Sequence, residues 1–311
     1  MNFDGLRAVV LTHGSGGAYG PLLATLEQEG LPLERVVVVH NPTDPNEARP
    51  SLPPGCELIA ADRNRGYSVG MNLGLKRQLE HDGDLLLVLT HDARFEPGAL
   101  ARMVAAIRAD SDYGVVGPAL VLENGTPFSF GGFTTDDGAL FHKQEQPSTA
   151  EEIAPCDWVD GGTMLFRSEL LRRIGGFEER FFIYCEDAEI CWRASRTGQR
   201  VGVVLGARAE QSPGGARRVG PWSYLLTRNG TYYAVEARGR RGLVGSLRRA
   251  VERIALNSAR TAARGLRLRK GSPAEPWAMT VGTARGLIDY LRRRWGPPPA
   301  LPGSGDVKNV G

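Results

Sequence analysis

Two adjacent acids, Glu186 and Asp187, follow an aromatic run that contains Phe181, Phe182 and Tyr184. Apolar walls exclude water, which raises the pKa of a carboxyl group and makes it a better general base. Acids also fit the first turn of a helix, where negative charge complements the helix dipole. The pair is therefore either a catalytic site or a helix start, and the rest of the chain must decide.

Polar residues follow the predicted strands of the N-terminal half. Apolar runs alternate with helical patterns from Arg7 to about residue 110. This alternation predicts an α/β fold with a mostly parallel sheet and right-handed crossovers. Ligands bind such sheets at the carboxyl ends of the strands. We therefore expect one edge of the sheet to carry Thr12, Asn41, Asn64 and Asp92.

The charge of the chain is small but unevenly distributed. The net charge is +3, whereas the segment from Arg238 to Trp295 has fifteen Lys or Arg residues against three acids. This asymmetry indicates an anionic partner, either a membrane surface or a phosphorylated substrate, unless the segment is simply a solvated helical cap. Nucleic acid is not favoured as the partner, because stacking aromatics do not alternate with the basic residues.

The expected compartment is the cytoplasm, with peripheral contact at the inner face of the cell membrane. The four cysteines show no CxxC pairing, which favours free thiols in a reducing compartment. The first residues do not have the pattern of a signal peptide. No run approaches the roughly 18 apolar residues that span a bilayer.

Several short segments occur in an order that resembles the inverting family 2 nucleotide-sugar glycosyltransferases, in particular the rhamnosyltransferase-like branch. They are DRNRGYSVGMNLGL, LTHDARFEPGAL, VDGGTMLFR, GGFEERFFIYCEDAEICWR and RNGTYY, within residues 6 to 235. The resemblance implies the A-type glycosyltransferase fold, a Rossmann-like, mostly parallel sheet flanked by helices, here with a C-terminal helical extension. We expect a catalytic domain over 1–236, a basic helical extension over 237–296 and a disordered tail over 297–311.

The resemblance also implies roles for individual residues. Asp187 would be the general base that deprotonates an acceptor hydroxyl, with Glu186 positioning the acceptor. Asp92 would hold Mg²⁺ or Mn²⁺ on the donor diphosphate, although it also suits a helix cap. Trp158 would contact the acceptor, or else belongs to the core. The residues implied for the nucleotide sugar are Thr12, Asn41, Asn64, Gly66, Asp92, Asp160, Gly161 and Gly162.

Three positions depart from the family pattern. Thr90 stands where the first acid or amide of the strand-ending motif is usual, and Gln211 stands where a metal-binding histidine is common. His40 precedes Asn41 where an aspartate is usual. The departures weaken the metal site and leave the candidate base intact. The sequence thus predicts transfer of a sugar, rhamnose on the resemblance, to a polysaccharide or lipid-linked acceptor. The alternative is a non-catalytic relative that binds nucleotide sugars or carbohydrates.

Overall fold

The computed structural model describes residues 3–14, 19–44, 46–210 and 219–303. These residues form two compact units. The first, which we call the sheet unit, takes the described residues of 1–133, 141–179 and 186–213. The second, which we call the helical unit, takes those of 134–140, 180–185 and 214–311.

The strands and helices follow the alternation that the sequence predicts. The strands are β1 (Leu6–His13), β2 (Val36–Asn41), β3 (Glu57–Ala60), β4 (Leu85–Thr90), β5 (Arg94–Phe95), β6 (Tyr113–Val121), β7 (Pro127–Ser129), β8 (Gly132–Thr134), β9 (Leu140–His142), β10 (Ile153–Pro155), β11 (Thr163–Arg167) and β12 (Arg200–Glu210). The helices are α1 (Tyr19–Gln28), α2 (Gly66–Leu79), α3 (Ala99–Ala109), α4 (Ser168–Ile174), α5 (Glu186–Ser195), α6 (Val219–Gly265) and α7 (Ala274–Leu291), with a 3₁₀ turn at Leu33–Arg35.

The main sheet has the order β10-β12-β6-β11-β4-β1-β2-β3, with β5 beside β12 and β7 beside β6. The neighbouring strands of the segment β4-β1-β2-β3 run parallel to one another, and β6 runs parallel to β12. Strand β11 runs antiparallel between β4 and β6. The predicted α/β fold with a mostly parallel sheet is confirmed, and β11 is the exception at its centre.

Buried apolar runs explain the central strands. Strands β1, β2 and β4 are apolar and buried almost throughout, because helices cover both faces of the sheet. Helix α2 comes unusually close to this sheet. A Cβ atom at Gly74 would lie 2.3 Å from Cγ1 of Val9, and one at Gly70 would lie 2.8 Å from Cδ1 of Leu11. These glycines let α2 pack closely on β1 and β2.

In the helical unit, α6 is broken at Gly239, whose φ of 56° and ψ of −131° are not helical. Helix α7 packs closely on the first half of α6, since a Cβ atom at Gly286 would lie 2.4 Å from the carbonyl oxygen of Tyr224. A buried polar chain joins the same helices. Arg228 donates to the Tyr224 hydroxyl at 3.1 Å, and that hydroxyl donates to Asp289 at 3.1 Å.

The predicted domain boundary at residue 236 stays a prediction, because α6 continues through it from Val219 to the break at Gly239. The predicted disordered tail also stays a prediction, since residues 304–311 lie outside those described. Within the described ranges, no helix is both long enough and apolar enough to cross a bilayer.

Candidate functional site

Polar residues gather where β1 and β2 end, as the sequence predicts. The Nδ2 atom of Asn41 donates to the carbonyl of Gly66 at 2.9 Å and to Oδ1 of Asn64 at 3.2 Å. Thr12 lies next to this group, because it pairs in register with His40, and its Oγ1 is 3.3 Å from Nδ1 of that residue. The structure therefore brings together four of the residues predicted to contact the nucleotide sugar.

Gly66 makes this corner sterically feasible. Its φ of 80° lies in the left-handed region, where glycine is favoured over residues with a Cβ atom. The Gly66 N–H donates to Oδ1 of Asn64 at 2.9 Å, so the Asn-x-Gly segment closes on its own side chain. The turn leads directly into α2 and fixes the helix start beside the strand ends.

A second turn, at residues 160–162, lies beside the end of β4. Oδ1 of Asp160 accepts the Gly162 N–H at 2.9 Å. The Gly162 carbonyl in turn accepts the backbone N–H of Thr90 at 3.0 Å. Because Thr163 then pairs with Leu89 as the first residue of β11, the antiparallel strand fixes this turn at the edge of the sheet.

Gly161 connects that turn to the acid pair. Its N–H donates to Oδ2 of Asp187 at 3.3 Å, and its carbonyl accepts the Tyr67 hydroxyl at 2.5 Å. A Cβ atom at Gly161 would lie 3.2 Å from that hydroxyl and 3.4 Å from Cβ of Asp187. A side chain here would therefore require the Tyr67 hydroxyl to move by a few tenths of an ångström, so glycine suits the position best.

The acid pair opens helix α5. Oδ1 of Asp187 accepts the backbone N–H of Ala188 at 2.8 Å. Glu186 is only 5% exposed, and its Oε2 has no hydrogen-bond partner among the described residues. The pair is therefore a helix start and also a desolvated carboxyl cluster, and its catalytic role stays a prediction.

Burial dominates the electrostatics of this cluster. Burial first, and then the negative charge of Asp160, raise the pKa of Asp187 to about 7. Burial and the charge of Asp187 raise the pKa of Glu186 well above its ordinary value. Burial also raises the pKa of Asp160. A carboxyl group with a pKa near neutrality is well matched to general-base catalysis at that pH.

A bidentate ion pair anchors α5 behind the acids. Arg193 donates through Nε to Oε1 of Glu189 at 2.7 Å and through Nη2 to Oε2 at 2.8 Å. The same guanidinium donates to the carbonyls of Ile174 and Gly176, both at 2.7 Å. Arg193 therefore has a structural role, because its donors are used within the scaffold.

Sequence reasoning missed Tyr67, although it follows the Asn-x-Gly segment immediately. Its ring is buried and meets Phe177 edge-on, with ring centroids 5.3 Å apart. The apolar support of the site therefore includes Phe177, from the GGF segment. Phe181 from the aromatic run belongs to the helical unit, where it packs edge-on against Tyr232 at 5.3 Å.

Sequence reasoning also assigned no role to Asn229. Tyr184 and Cys185 have φ angles of 74° and 71°, an uncommon conformation for residues other than glycine. The Asn229 amide donates to the carbonyls of Ile183 and Tyr184 at 2.9 and 3.0 Å. These hydrogen bonds hold the strained backbone that directly precedes Glu186. The RNGTYY segment, which contains Asn229, was the sequence feature that could have indicated this role.

The predicted metal ligands are only partly described. Asp92 is exposed in the turn after β4, and the cap of α3 is Gly98, so Asp92 is not the helix cap. Gln211 lies outside the described residues. Among the described residues, no group of three or more His, Cys, Asp or Glu side chains could hold a metal ion. Mg²⁺ and Mn²⁺ ions accept one or two carboxylates together with substrate phosphates. Asp92 fits an ion shared with a donor diphosphate, and the described chain has no metal cage of its own.

Trp158 was predicted either to contact the acceptor or to belong to the core. It is 5% exposed and donates through Nε1 to the Phe133 carbonyl at 3.3 Å. Its indole covers Gly132, where a Cβ atom would lie 1.9 Å from Cε2, and meets His142 edge-on at 4.7 Å. This packing favours the core interpretation, because little of the indole remains for a sugar.

The sequence profile described as glycosyl transferase family group 2 matches residues 85–283. A low-salt glycan biosynthesis hexosyltransferase of Haloferax volcanii is 28% identical over 149 residues, which cover 46% of this chain and 48% of that protein, about half its length. An N-acetylglucosaminyl-diphospho-decaprenol L-rhamnosyltransferase of Mycobacterium tuberculosis is 25% identical over 225 residues, which cover 63% of this chain and 72% of that protein.

Solved structures share the fold. A mannosyltransferase of Pyrobaculum calidifontis in complex with GDP-Man and Mn²⁺ superposes with a TM-score of 0.52 at 15% identity, covering 93% of this chain and 88% of that chain. GalNAc-T7 with UDP, GalNAc and Mn²⁺ superposes with a TM-score of 0.53 at 14% identity, covering 71% and 48%. The A-type glycosyltransferase fold expected from the sequence is therefore confirmed.

We expect Asp187→Asn to stabilise the protein above neutral pH. The raised pKa of Asp187 means that the folded protein keeps this proton between about pH 4 and pH 7, whereas the unfolded chain has released it. Stability is therefore fully present below about pH 4 and is lost as the pH rises through 7, by at most about 4 kcal/mol. Asparagine does not ionise and avoids this loss.

Thermal unfolding of both proteins at about pH 5 and about pH 8 measures this difference. The matched control is Asp82→Asn, an exposed acid of the same unit, which should unfold like the parent at both pH values. A constant difference between Asp187→Asn and the parent at the two pH values would contradict the raised pKa.

Proposed function

The chain belongs to glycosyl transferase family group 2, and from that membership we propose that it is an inverting glycosyltransferase of the hexosyltransferase class. It moves a sugar from a nucleotide-diphosphate donor to a hydroxyl of a polysaccharide or lipid-linked acceptor. The observation that carries the proposal is the desolvated carboxyl of Asp187, held by the N–H groups of Gly161 and Ala188 with a pKa of about 7.

In this proposal Asp187 is the general base. Its ionised carboxylate takes the proton from the acceptor hydroxyl while the hydroxyl oxygen forms a bond to the anomeric carbon. The bond from that carbon to the diphosphate oxygen breaks on the opposite face, and its electron pair leaves with the diphosphate. This single displacement inverts the anomeric centre. Glu186 is buried, has no hydrogen-bond partner at Oε2 among the described residues and positions the acceptor. Burial and the charge of Asp187 raise its pKa well above the ordinary value.

The donor occupies the edge of the sheet unit where the polar strand ends gather. Asn41, Asn64 and Gly66 form the nucleoside end of the site, beside Thr12. Asp160, Gly161 and Gly162 form the wall along the sugar. Support for this placement comes from the hydrogen bond between Gly161 and Asp187, because it holds the backbone of the glycine turn beside the proposed base.

A divalent cation, Mg²⁺ or Mn²⁺, accompanies the donor. Asp92 is the residue that would hold it, together with diphosphate oxygens, and Gln211 remains a further proposed ligand outside the described residues. When bound, the ion would stabilise the negative charge of the departing diphosphate. Asp92 suits this task because its carboxylate is exposed and has no hydrogen bond or ion pair among the described residues.

Rhamnose is the donor sugar that we propose, because a relative is named as an L-rhamnosyltransferase acting on a diphospho-decaprenol substrate. A lipid-linked acceptor of that kind suits the basic charge of residues 238–295. The second candidate function is a non-catalytic binder of nucleotide sugars. Thr90 in the strand-ending motif and the absence of a three-residue metal cluster among the described residues favour it.

An anionic membrane surface is the proposed partner of the helical unit. The segment from Arg238 to Trp295 contains fifteen Lys or Arg residues and only three acids. The same stretch exposes apolar side chains on α6, where Val244, Leu247 and Val251 are 58%, 36% and 64% exposed and share one face by their spacing. Exposed apolar residues within a basic helix are typical of helices that lie in a membrane interface.

We expect Asp187→Asn to lower turnover by about 10²–10⁴-fold while donor affinity stays within about threefold, because only the proton acceptor is lost. Turnover of the parent should rise with pH through about 7 and then level off, since the base must be ionised. The assay uses thymidine diphosphate rhamnose with a short prenyl-diphospho-N-acetylglucosamine acceptor. Calorimetry measures donor affinity.

Two variants make this test specific. Asp82→Asn, the exposed control, should turn over normally. Glu186→Gln should retain the pH profile that Asp187 imposes. Near-normal turnover by Asp187→Asn would exclude it as the base, and loss of the pH profile in Glu186→Gln alone would transfer the role to Glu186.

Donor binding should depend on metal through Asp92. We expect thermal stabilisation by UDP, GDP or thymidine diphosphate to increase with Mg²⁺ or Mn²⁺, since a ligand raises stability with the logarithm of its concentration over its Kd. Asp92→Ala should lose only the metal-dependent part, and Asp82→Ala should lose nothing. Equal affinity with and without chelator in the parent would count against a metal role, and no response to any nucleotide would favour a relative that has lost donor binding altogether.

Binding to vesicles should require both charge and the exposed apolar face. We expect the protein to sediment with vesicles that contain about one-third anionic lipid, less with neutral vesicles, and less at high salt. The double variant Val244→Asn, Val251→Asn should bind about tenfold more weakly, because it removes apolar area from the interface. Leu73→Asn, 37% exposed on α2, is the control. Equal binding to neutral and anionic vesicles would contradict the proposal.

A further inference from the structure

A cavity of about 140 Å³ lies within the helical unit. Its walls come from both halves of α6, on either side of the break at Gly239, and from residues 138–140. The polar groups that line it are two arginines and three hydroxyls, those of Thr227, Thr231, Ser246, Arg249 and Arg253. None of these residues belongs to the site proposed for glycosyl transfer.

Two of the hydroxyls can still donate hydrogen bonds. Thr227 is 5% exposed, and its Oγ1 has no hydrogen-bond partner among the described residues. Ser246 is 6% exposed and accepts a hydrogen bond from Nη2 of Arg249 at 3.2 Å, so its own proton is unused by that contact. A buried hydroxyl without a partner costs free energy, which a guest with acceptor oxygens would recover.

The charge that lines the cavity is only partly compensated. Nη1 of Arg249 lies 2.7 Å from Oδ2 of Asp137, which also pairs with Arg248 at 3.0 Å. Arg253, by contrast, is exposed at the cavity and has no hydrogen bond or ion pair with any described residue. Glu252 beside it in the chain is directed to Arg248, 3.9 Å away. The cavity lining therefore includes one arginine that has no ion-paired acid among the described residues.

We propose that this cavity is a binding site for a phosphoryl group, held by the Arg253 guanidinium and the Thr227 and Ser246 hydroxyls. A guanidinium offers several N–H donors in a planar fork that matches phosphate oxygens, and charge-assisted hydrogen bonds of this kind are strong. The Thr227 and Ser246 hydroxyls supply two further donors. The site does not depend on the proposed glycosyl transfer, since its residues take no part in that chemistry.

The phosphoryl group can come from a free phosphate or from the headgroup of a prenyl diphosphate. Leu140, Leu226 and Ala250 add apolar walls to the same cavity, and these would also accept the first carbons of a prenyl chain. Three probes distinguish the sources: inorganic phosphate, farnesyl diphosphate and farnesol, each added to the full chain with chelator present and at constant ionic strength.

Calorimetry with these probes tests the proposal. We expect phosphate and farnesyl diphosphate to bind, and Arg253→Met to weaken that binding by at least about tenfold. Arg260→Met, an exposed arginine on the same half of α6, should bind like the parent. Asp92→Ala should also bind phosphate like the parent, because Asp92 belongs to the proposed donor site and not to this cavity. The phosphate site and the proposed transferase site can therefore fail independently of each other.

A second variant fills the cavity without removing a charge. A Cβ atom at Gly230 would have only Sγ of Cys185 within 4 Å, at 3.9 Å, so a longer side chain enters open space. Gly230→Met also favours the helix, because methionine has the higher helix propensity. We therefore expect it to fold and to lose phosphate binding.

The affinities of the three probes distinguish the two sources of the phosphoryl group. Equal affinity for phosphate and farnesyl diphosphate supports a free-phosphate site, and much tighter farnesyl diphosphate binding supports a lipid headgroup. Binding of farnesol as tightly as farnesyl diphosphate would overturn the proposal, because no phosphoryl group would then be needed. Unchanged phosphate binding by both Arg253→Met and Gly230→Met, or equal weakening by Arg260→Met, would overturn it as well.

Discussion

The desolvation of three carboxyl groups around one glycine turn is the constraint on which the candidate site depends. Asp160, Glu186 and Asp187 have no arginine or lysine ion-paired with them among the described residues. Burial raises the pKa of each, and the negative charge of a nearby acid, which for Asp160 is Asp92, raises it further. The backbone N–H groups of Gly161 and Gly162 offset part of that cost by donating to two of the acids. A cluster of this kind persists only where the scaffold prevents the groups from separating.

The sheet supplies that restraint through β11, which runs antiparallel to both of its neighbours. Because β11 runs between β4 and β6, the turn that precedes it is hydrogen-bonded to Thr90 at the end of β4. From the other side, α2 approaches the sheet at Gly70 and Gly74 and brings Tyr67 to the Gly161 carbonyl. The spacing of these glycines therefore acts on the candidate site indirectly, because it sets where the Tyr67 hydroxyl meets the glycine turn.

Local pattern predicted more of the fold than of the contacts at the site. The apolar runs and polar strand ends placed Thr12, Asn41 and Asn64 correctly, because both features are written in short stretches of sequence. The antiparallel insertion of β11 was not predicted, since strand direction depends on a long connection. Trp158 and Tyr67 show the same limit. Whether an aromatic ring faces solvent, core or a distant carbonyl depends on residues far away in the chain.

The position of the acids at the start of α5 finally explains why the pKa of Asp187 is near neutrality rather than far above it. Burial and the charge of Asp160 raise this pKa, while the N–H groups of Ala188 and Gly161 lower it. A helix N-terminus stabilises a carboxylate by about 0.3–2 kcal/mol, which is less than the roughly 4 kcal/mol that separates a pKa of about 7 from an ordinary aspartate. Burial therefore determines the direction of the pKa shift, and the N–H groups limit its size. The helix start that seemed to compete with a catalytic role in the sequence therefore lowers the pKa of the same carboxyl group that burial raises.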